Sequence, residues 1–352
     1  MEKIKKVSYR TTAQMREKTE KRQKPRPAFS IPRLTLVFIL IILLITAISG
    51  CGQKSTRRHS KTSIMCSVFP QYDWTLQILG DKAGKFEVSL LQSNRLDLHN
   101  FHPTIDNILD ISECDLFIYV GGASDQWARD TLRGATNEEM IVVNLLETLG
   151  AAAKVEEIVE GMEDDDDDDD DDEPEYDEHV WLSLKNAELF CKAIADAVSR
   201  LDPENSGVYK ENLDAYTAKL SALDTQYQNT TAAAPIKTLL FGDRFPFRYL
   251  VDDYNLSYYA AFPGCSAETE ASFKTIVSLA ELVDELSLHT VMVTESGDQS
   301  IAKTIIDNTT AKTQQIVVLD AIQSITLDDL NAGVTYLSIM EKNLNALKEA
   351  LK

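Results

Sequence analysis

A helical pattern from about Asn186 to Gln228 divides this 352-residue chain and constrains its architecture more than any other feature. Its second part, "GVYKENLDAYTAKLSALDTQYQ", repeats Tyr209, Leu213, Tyr216, Leu220 and Leu223 at helical spacing. At 1.5 Å per residue these ~22 residues reach ~33 Å, enough to cross a domain. The pattern is interrupted near "LDPENSG". A stiff helix at the centre of a chain limits how far the parts on either side can close on each other.

Both flanks alternate strand and helix. On the first side, "TSIMCSVF" and "KFEVSLLQ" read as strands, and "PTIDNILDISECD" as a helix with Ile105, Ile108, Leu109 and Ile111 on its apolar face. "LFIYVGG" is the continuous apolar run of a buried parallel strand, followed by a helix at "QWARDTLRGA" and a strand at "MIVVNLLE". On the second side, "KTLLFGD", "HTVMVTES" and "QQIVVLDAI" are strands, while "SFKTIVSLAELVDEL", "SIAKTIIDNTT" and "GVTYLSIMEKNLNALKEALK" are helices. The fold class is therefore α/β: two similar lobes, each with a mostly parallel central sheet, joined by one long α-helix. The boundaries are 62–186 for the first lobe, with an acidic loop at 156–178, then 187–232 for the linking region and 233–352 for the second lobe.

Charge is unevenly spread. The formal net charge is -21, yet the first 33 residues are strongly basic. No basic, aromatic-studded stretch occurs in the body, which argues against a nucleic-acid partner. The basic segment leads into an apolar run, Leu34 to Ile48, short for a spanning helix and suited to an export signal. Ile48-Ser49-Gly50-Cys51 then resembles the lipoprotein box, in which the signal is cleaved before a cysteine that takes the lipid. Residues 1–50 are thus read as an export segment, Cys51 as the lipid attachment point and 51–61 as a polar tether. A retained membrane anchor is the alternative, and either places the body outside the cytoplasm. Cys66 and Cys191 lie in apolar patterns as buried thiols, and no cysteine spacing argues for a disulfide.

The chemistry concentrates in a few residues. His99 and His102 share the loop "RLDLHNFHPT", and His179 adjoins the apolar Val180-Trp181-Leu182. His289, between a helix and a strand, is read as structural. Asp243, Glu295 and Asp320 each fall at the carboxyl end of a predicted strand, where ligands of open α/β sheets bind. Cys265, Glu268 and Glu270 lie in the loop "FPGCSAETEAS". Imidazoles from one lobe with carboxylates from the other make a nitrogen–oxygen site, which suits Zn²⁺ or Mn²⁺ better than Ca²⁺.

At this point the chain resembles the substrate-binding lipoproteins of zinc and manganese ABC transporters, over essentially the whole body. "LDLHNFHPT" resembles the family's first metal-histidine loop and implies His99 as a ligand. "DEHVWLSLKNA" resembles the second motif and implies His179, and "VVLDAI" implies Asp320. The family's third ligand opens a motif matching "FGDRFPFRYL", where this chain carries Gly242. Asp243 is the first substitute, with Glu268, Cys265 or a water behind it. The resemblance also explains the position of nine consecutive aspartates, Asp164, Asp165, Asp166, Asp167, Asp168, Asp169, Asp170, Asp171 and Asp172, since zinc-binding members carry an acidic loop just before the second motif. Such a run would gather divalent cations weakly, against the alternative of a solvated spacer.

The implied function is capture of an ion, zinc first and manganese as alternative, and its delivery to an ABC permease and, through it, the ATPase. The protein would be a non-enzymatic monomer, lipid-anchored at the outer face of the bacterial cytoplasmic membrane. Affinity would fall as acid protonates the histidines. Two readings compete: a metal-dependent hydrolase with Glu295 or Glu268 as base, and a binder of a chelated metal. The latter would use Phe245, Phe247, Tyr258, Tyr259 and Phe262 to line a wide cleft.

Overall fold

The computed structural model describes residues 61–91, 98–162, 175–266 and 270–352. Cys51, the nine aspartates and Glu268 lie outside the described residues. The first sheet contains β1 (Thr62–Cys66), β2 (Phe86–Leu90), β3 (Leu116–Tyr119) and β4 (Ile141–Asn144). Its helices are α1 (Phe69–Leu79), α2 (Ile105–Glu113), α3 (Gln126–Arg133) and α4 (Leu145–Leu149). Two helices follow, α5 (Leu184–Leu201) and the 28-residue α6 (Ser206–Ala233). The second sheet contains β5 (Thr238–Phe245), β6 (Ser257–Pro263), β7 (Thr290–Val293) and β8 (Gln315–Val318). Around it lie α7 (Arg248–Asp253), α8 (Phe273–Glu285), α9 (Ser300–Asn308), α10 (Leu327–Asn331) and α11 (Tyr336–Ala350).

All pairings within the two sheets are parallel, and the strand orders, β2-β1-β3-β4 and β6-β5-β7-β8, repeat one another. Parallel strands need crossovers that cover both faces, which is why "LFIY" and "TVMV" are buried along their whole length. Among the described residues, the strand absent from the sequence reading is β6, "SYYAAFP". Its aromatic residues belong to the core. Phe245 and Tyr258 stack with centroids 3.7 Å apart, and Phe241 lies over Phe247. Phe262 is buried in a neighbouring cluster of the second lobe. Packing therefore accounts for these rings, not a wide ligand cleft.

The linking stripe behaves as its spacing predicts. Tyr209, Tyr216, Leu220 and Leu223 are buried, with Leu213 partly so, and Tyr227 extends the stripe by a turn. These residues belong to one apolar core that continues from Trp74 and Ile118 in the first lobe to Phe241 and Phe247 in the second. The C-terminal helix reinforces the union. Tyr336 donates its N–H to Asp73 Oδ2 at 3.0 Å and its hydroxyl to the Trp181 carbonyl at 2.6 Å. Trp181 Nε1 in turn donates to the Ala321 carbonyl at 2.9 Å. A shared core with buried cross-lobe hydrogen bonds resists a wide hinge motion. By contrast, α2 turns Ile105, Ile108 and Leu109 outward, and of its predicted apolar face only Ile111 is buried.

Candidate metal centre

His99 sits in a single 3₁₀ turn, Leu98–Asn100, fixed by the buried Leu98. His179 precedes a second such turn, Val180–Leu182, all three residues fully buried. That turn runs directly into α5, whose N-cap Ser183 accepts from the Asn186 N–H at 3.1 Å. Each histidine is thus pinned by an apolar neighbour in a well-packed wall. Their Nε2 atoms lie 3.3 Å apart. Two nitrogens bound to one tetrahedral Zn²⁺ at 2.0–2.1 Å would be separated by about 3.3–3.4 Å. The imidazole pair therefore already has the spacing an ion requires.

Carboxylates behind the rings set their orientation. Asp177 Oδ1 lies 3.0 Å from His179 Nδ1 and also accepts the His179 backbone N–H at 2.8 Å. An Nδ1–H donated to Asp177 leaves the Nε2 lone pair for an ion. His99 Nδ1 lies 2.8 Å from Ser124 Oγ and 3.7 Å from Glu178 Oε2. Glu178 Oε1 accepts the Ser124 N–H at 2.8 Å, and burial pushes its carboxyl up to about 7. Gly122 makes this placement possible: with φ +87, it would bring a Cβ 2.2 Å from Glu178 Oε1. So the tripeptide Asp177-Glu178-His179 supplies one imidazole and the carboxylates that steady both.

A third candidate donor lies in the second lobe. Among the described residues, His99, His179 and Cys265 form the group whose ligating atoms all lie within 4.8 Å of one another. Cys265 follows β6, and its N–H donates to Glu156 Oε1 at 2.8 Å. Burial, with Glu156 close by, pushes its thiol well above the usual value, so ion binding there would displace a proton. A cavity of about 240 Å³ opens beside the group, lined by His99, Ser124, Glu175, Glu178, Arg244 and Cys265 among others. The stem of the acidic loop reaches the same place. Val155 and Tyr176 form an antiparallel bridge, and the chain on either side supplies Glu156 and Glu175.

Among the described residues, the other candidates do not join this group. Asp243 Oδ2 accepts from Thr294 N at 2.9 Å and Thr294 Oγ1 at 2.7 Å, and Oδ1 accepts from Arg244 N at 2.8 Å. Asp320 Oδ1 accepts from Ile322 N at 2.8 Å, while burial and the nearby Glu295 push its carboxyl up to about 7. Neither belongs to the converged group. Glu295, the base a hydrolase would need, accepts the backbone N–H groups of Ala321, Gln323 and Ser324. His102 is exposed. Gly242 also has a structural reason: a Cβ there would stand 2.6 Å from Ala302 Cα in α9, so a side chain would point into a helix backbone.

Comparison with known proteins agrees with this architecture. The family model described as "Zinc-uptake complex component A periplasmic" matches residues 64–350. The high-affinity zinc uptake system protein ZnuA of Bacillus subtilis (strain 168) is 29% identical over 313 residues, covering 86% of this chain and 93% of that protein. The zinc-binding lipoprotein AdcA of Streptococcus pneumoniae serotype 4 is 30% identical over 292 residues, 82% of this chain. The match spans only 56% of AdcA, so this chain corresponds to part of that longer relative. Among solved structures, the metal-dependent lipoprotein YcdH of Bacillus subtilis superposes with TM-score 0.66 at 26% identity, covering 83% of this chain and 99% of YcdH. The Zn(II)-bound ZnuA-like domain of Streptococcus pneumoniae AdcA gives TM-score 0.65 at 27% identity over 83% of this chain and 99% of that domain. With two parallel-sheet lobes, a linking helix and a histidine pair, the chain belongs to the family of zinc-uptake component A proteins.

Proposed function

We propose that this protein is the extracytoplasmic ion-capturing component of an ABC importer, with zinc as its cargo. The observation that carries the reading is the convergence of His99 and His179 Nε2 at 3.3 Å, with Asp177 Oδ1 3.0 Å from the second ring's Nδ1. The cargo ion would be bound by these imidazoles with a donor from the second lobe, then released to a membrane permease whose ATPase supplies the energy. Cys51 would carry the lipid that tethers the body to the outer face of the membrane. The nine aspartates would act as a weak collector, because the loop's stem residues Glu156 and Glu175 stand at the site. Shared core packing between the lobes favours release by a small local rearrangement over wide opening.

The test is uptake of radiolabelled zinc by cells whose own gene is replaced by wild type, His99→Ala or His179→Ala. Zinc uptake restored by wild type and by neither variant is the expected result. Equal uptake by all three strains contradicts the proposal.

A further inference from the structure

Strands β5 and β6 are parallel neighbours in the second sheet. In this chain β5 carries Gly242, pressed against α9, and its register against β6 shifts between Phe241 and Arg244. At this irregularity Asp243 Oδ2 accepts from both the N–H and the hydroxyl of Thr294. The adjoining strand continues to Pro263, paired with Phe245, and passes into Gly264. A Cβ at Gly264 would stand 2.8 Å from the Phe245 carbonyl oxygen, so only glycine lets the chain cross this closely. The next residue is Cys265, whose N–H is anchored on Glu156 and whose Sγ faces the two imidazoles.

We infer that Cys265 is the third protein ligand of the captured ion, which makes this a two-imidazole, one-thiolate site for borderline-soft divalent cations. This rests on the ion-capture reading above and narrows its cargo. On binding, the Sγ–H bond is exchanged for an Sγ–metal bond, the proton leaves to bulk water, and no electron is transferred. A tetrahedral zinc with one sulfur at about 2.3 Å and nitrogens near 2.0–2.1 Å requires S···N separations of about 3.5 Å. The three atoms lie within 4.8 Å, so closure on the order of 1 Å, within reach of a loop adjustment, completes the triangle. Thiolate favours Zn²⁺, Co²⁺ and Cd²⁺ and disfavours Mn²⁺, Mg²⁺ and Ca²⁺, which prefer oxygen. The cavity lined by Arg244 and Glu175 adjoins His99 and Cys265.

The experiment uses the full-length chain with Co²⁺ as the probe. Wild type should show a thiolate-to-cobalt charge-transfer band in the near ultraviolet, absent in Cys265→Ser while weaker His99-dependent Co²⁺ binding persists. Zinc affinity should fall by more than about 100-fold in that variant, beyond the loss typical of an outer-shell partner. A second measurement needs no variant. Cys66, Cys114 and Cys191 are buried, whereas Cys265 is partly accessible, so prolonged iodoacetamide treatment at alkaline pH should mark Cys265 in preference to these three. Zn²⁺ or Cd²⁺ should protect it, and Mn²⁺ should not. Histidine-dependent Co²⁺ binding without the band, or alkylation unaffected by Zn²⁺, overturns the assignment of Cys265 while leaving ion capture standing. Failure of wild type to retain any Co²⁺ or Zn²⁺ overturns both.

Discussion

Asp177→Asn is the substitution through which the ligand geometry is most sharply tested. Asp177 is buried, and its Oδ1 accepts both the His179 ring nitrogen and the His179 backbone N–H. The amide oxygen of asparagine can still accept, so the ring keeps a partner but loses the charge that favours Nδ1–H. A charge-assisted hydrogen bond contributes about 1.5–3 kcal/mol and a neutral one about 0.5–1.5 kcal/mol. The difference of about 1–1.5 kcal/mol corresponds to about a 5- to 13-fold loss of zinc affinity. Competition titration against a chelating dye measures it, with the thermal midpoint of the ion-free chain recorded in parallel. Zinc affinity within twofold of wild type, with the midpoint unchanged, would refute the claim that Asp177 orients His179 for an ion.

Three further outcomes follow from the packing. Gly242→Ala should destabilise the fold by about 1–3 kcal/mol in urea, because its Cβ meets the α9 backbone and not a flexible side chain. Trp181→Phe should cost about 1–3 kcal/mol by leaving the buried Ala321 carbonyl without the indole N–H, read as a lower denaturation midpoint. Burial raises Asp125 to about 6, so the carboxyl contributes stability at low pH that is lost as pH rises from the usual ~3.9 through about 6. Asp125→Asn should flatten that part of the stability–pH profile, measured by urea denaturation of the ion-free chain. An unchanged slope would contradict the assignment.

Much of the architecture is legible in the sequence for physical reasons. The α6 stripe repeats at helical spacing because one face meets both lobes, and the buried parallel strands appear as unbroken apolar runs. The His99–His179 pair is legible because each imidazole adjoins apolar residues that fix it. Strand β6 is harder to see. "SYYAAFP" is short, aromatic and closed by Pro-Gly, so its rings suit a core or a ligand wall equally well. Missing that strand leaves Cys265 in a featureless loop, when it follows a strand end directly beside β5. Carboxylates at strand ends pose the opposite difficulty. Asp243 and Glu295 sit where ligands sit, yet they serve Thr294 and the 321–324 backbone. A carboxylate that holds a loop and one that holds an ion have the same sequence signature. Only the three-dimensional neighbours separate them, as they do for Gly242 against Ala302.

The most direct measurement is zinc content and affinity of the full-length chain, by elemental analysis and competition titration, beside His99→Ala and His179→Ala. The histidine convergence predicts one tightly held zinc per chain, lost in both variants while weak, aspartate-borne binding remains. Several weak ions bound equally by all three proteins would contradict it.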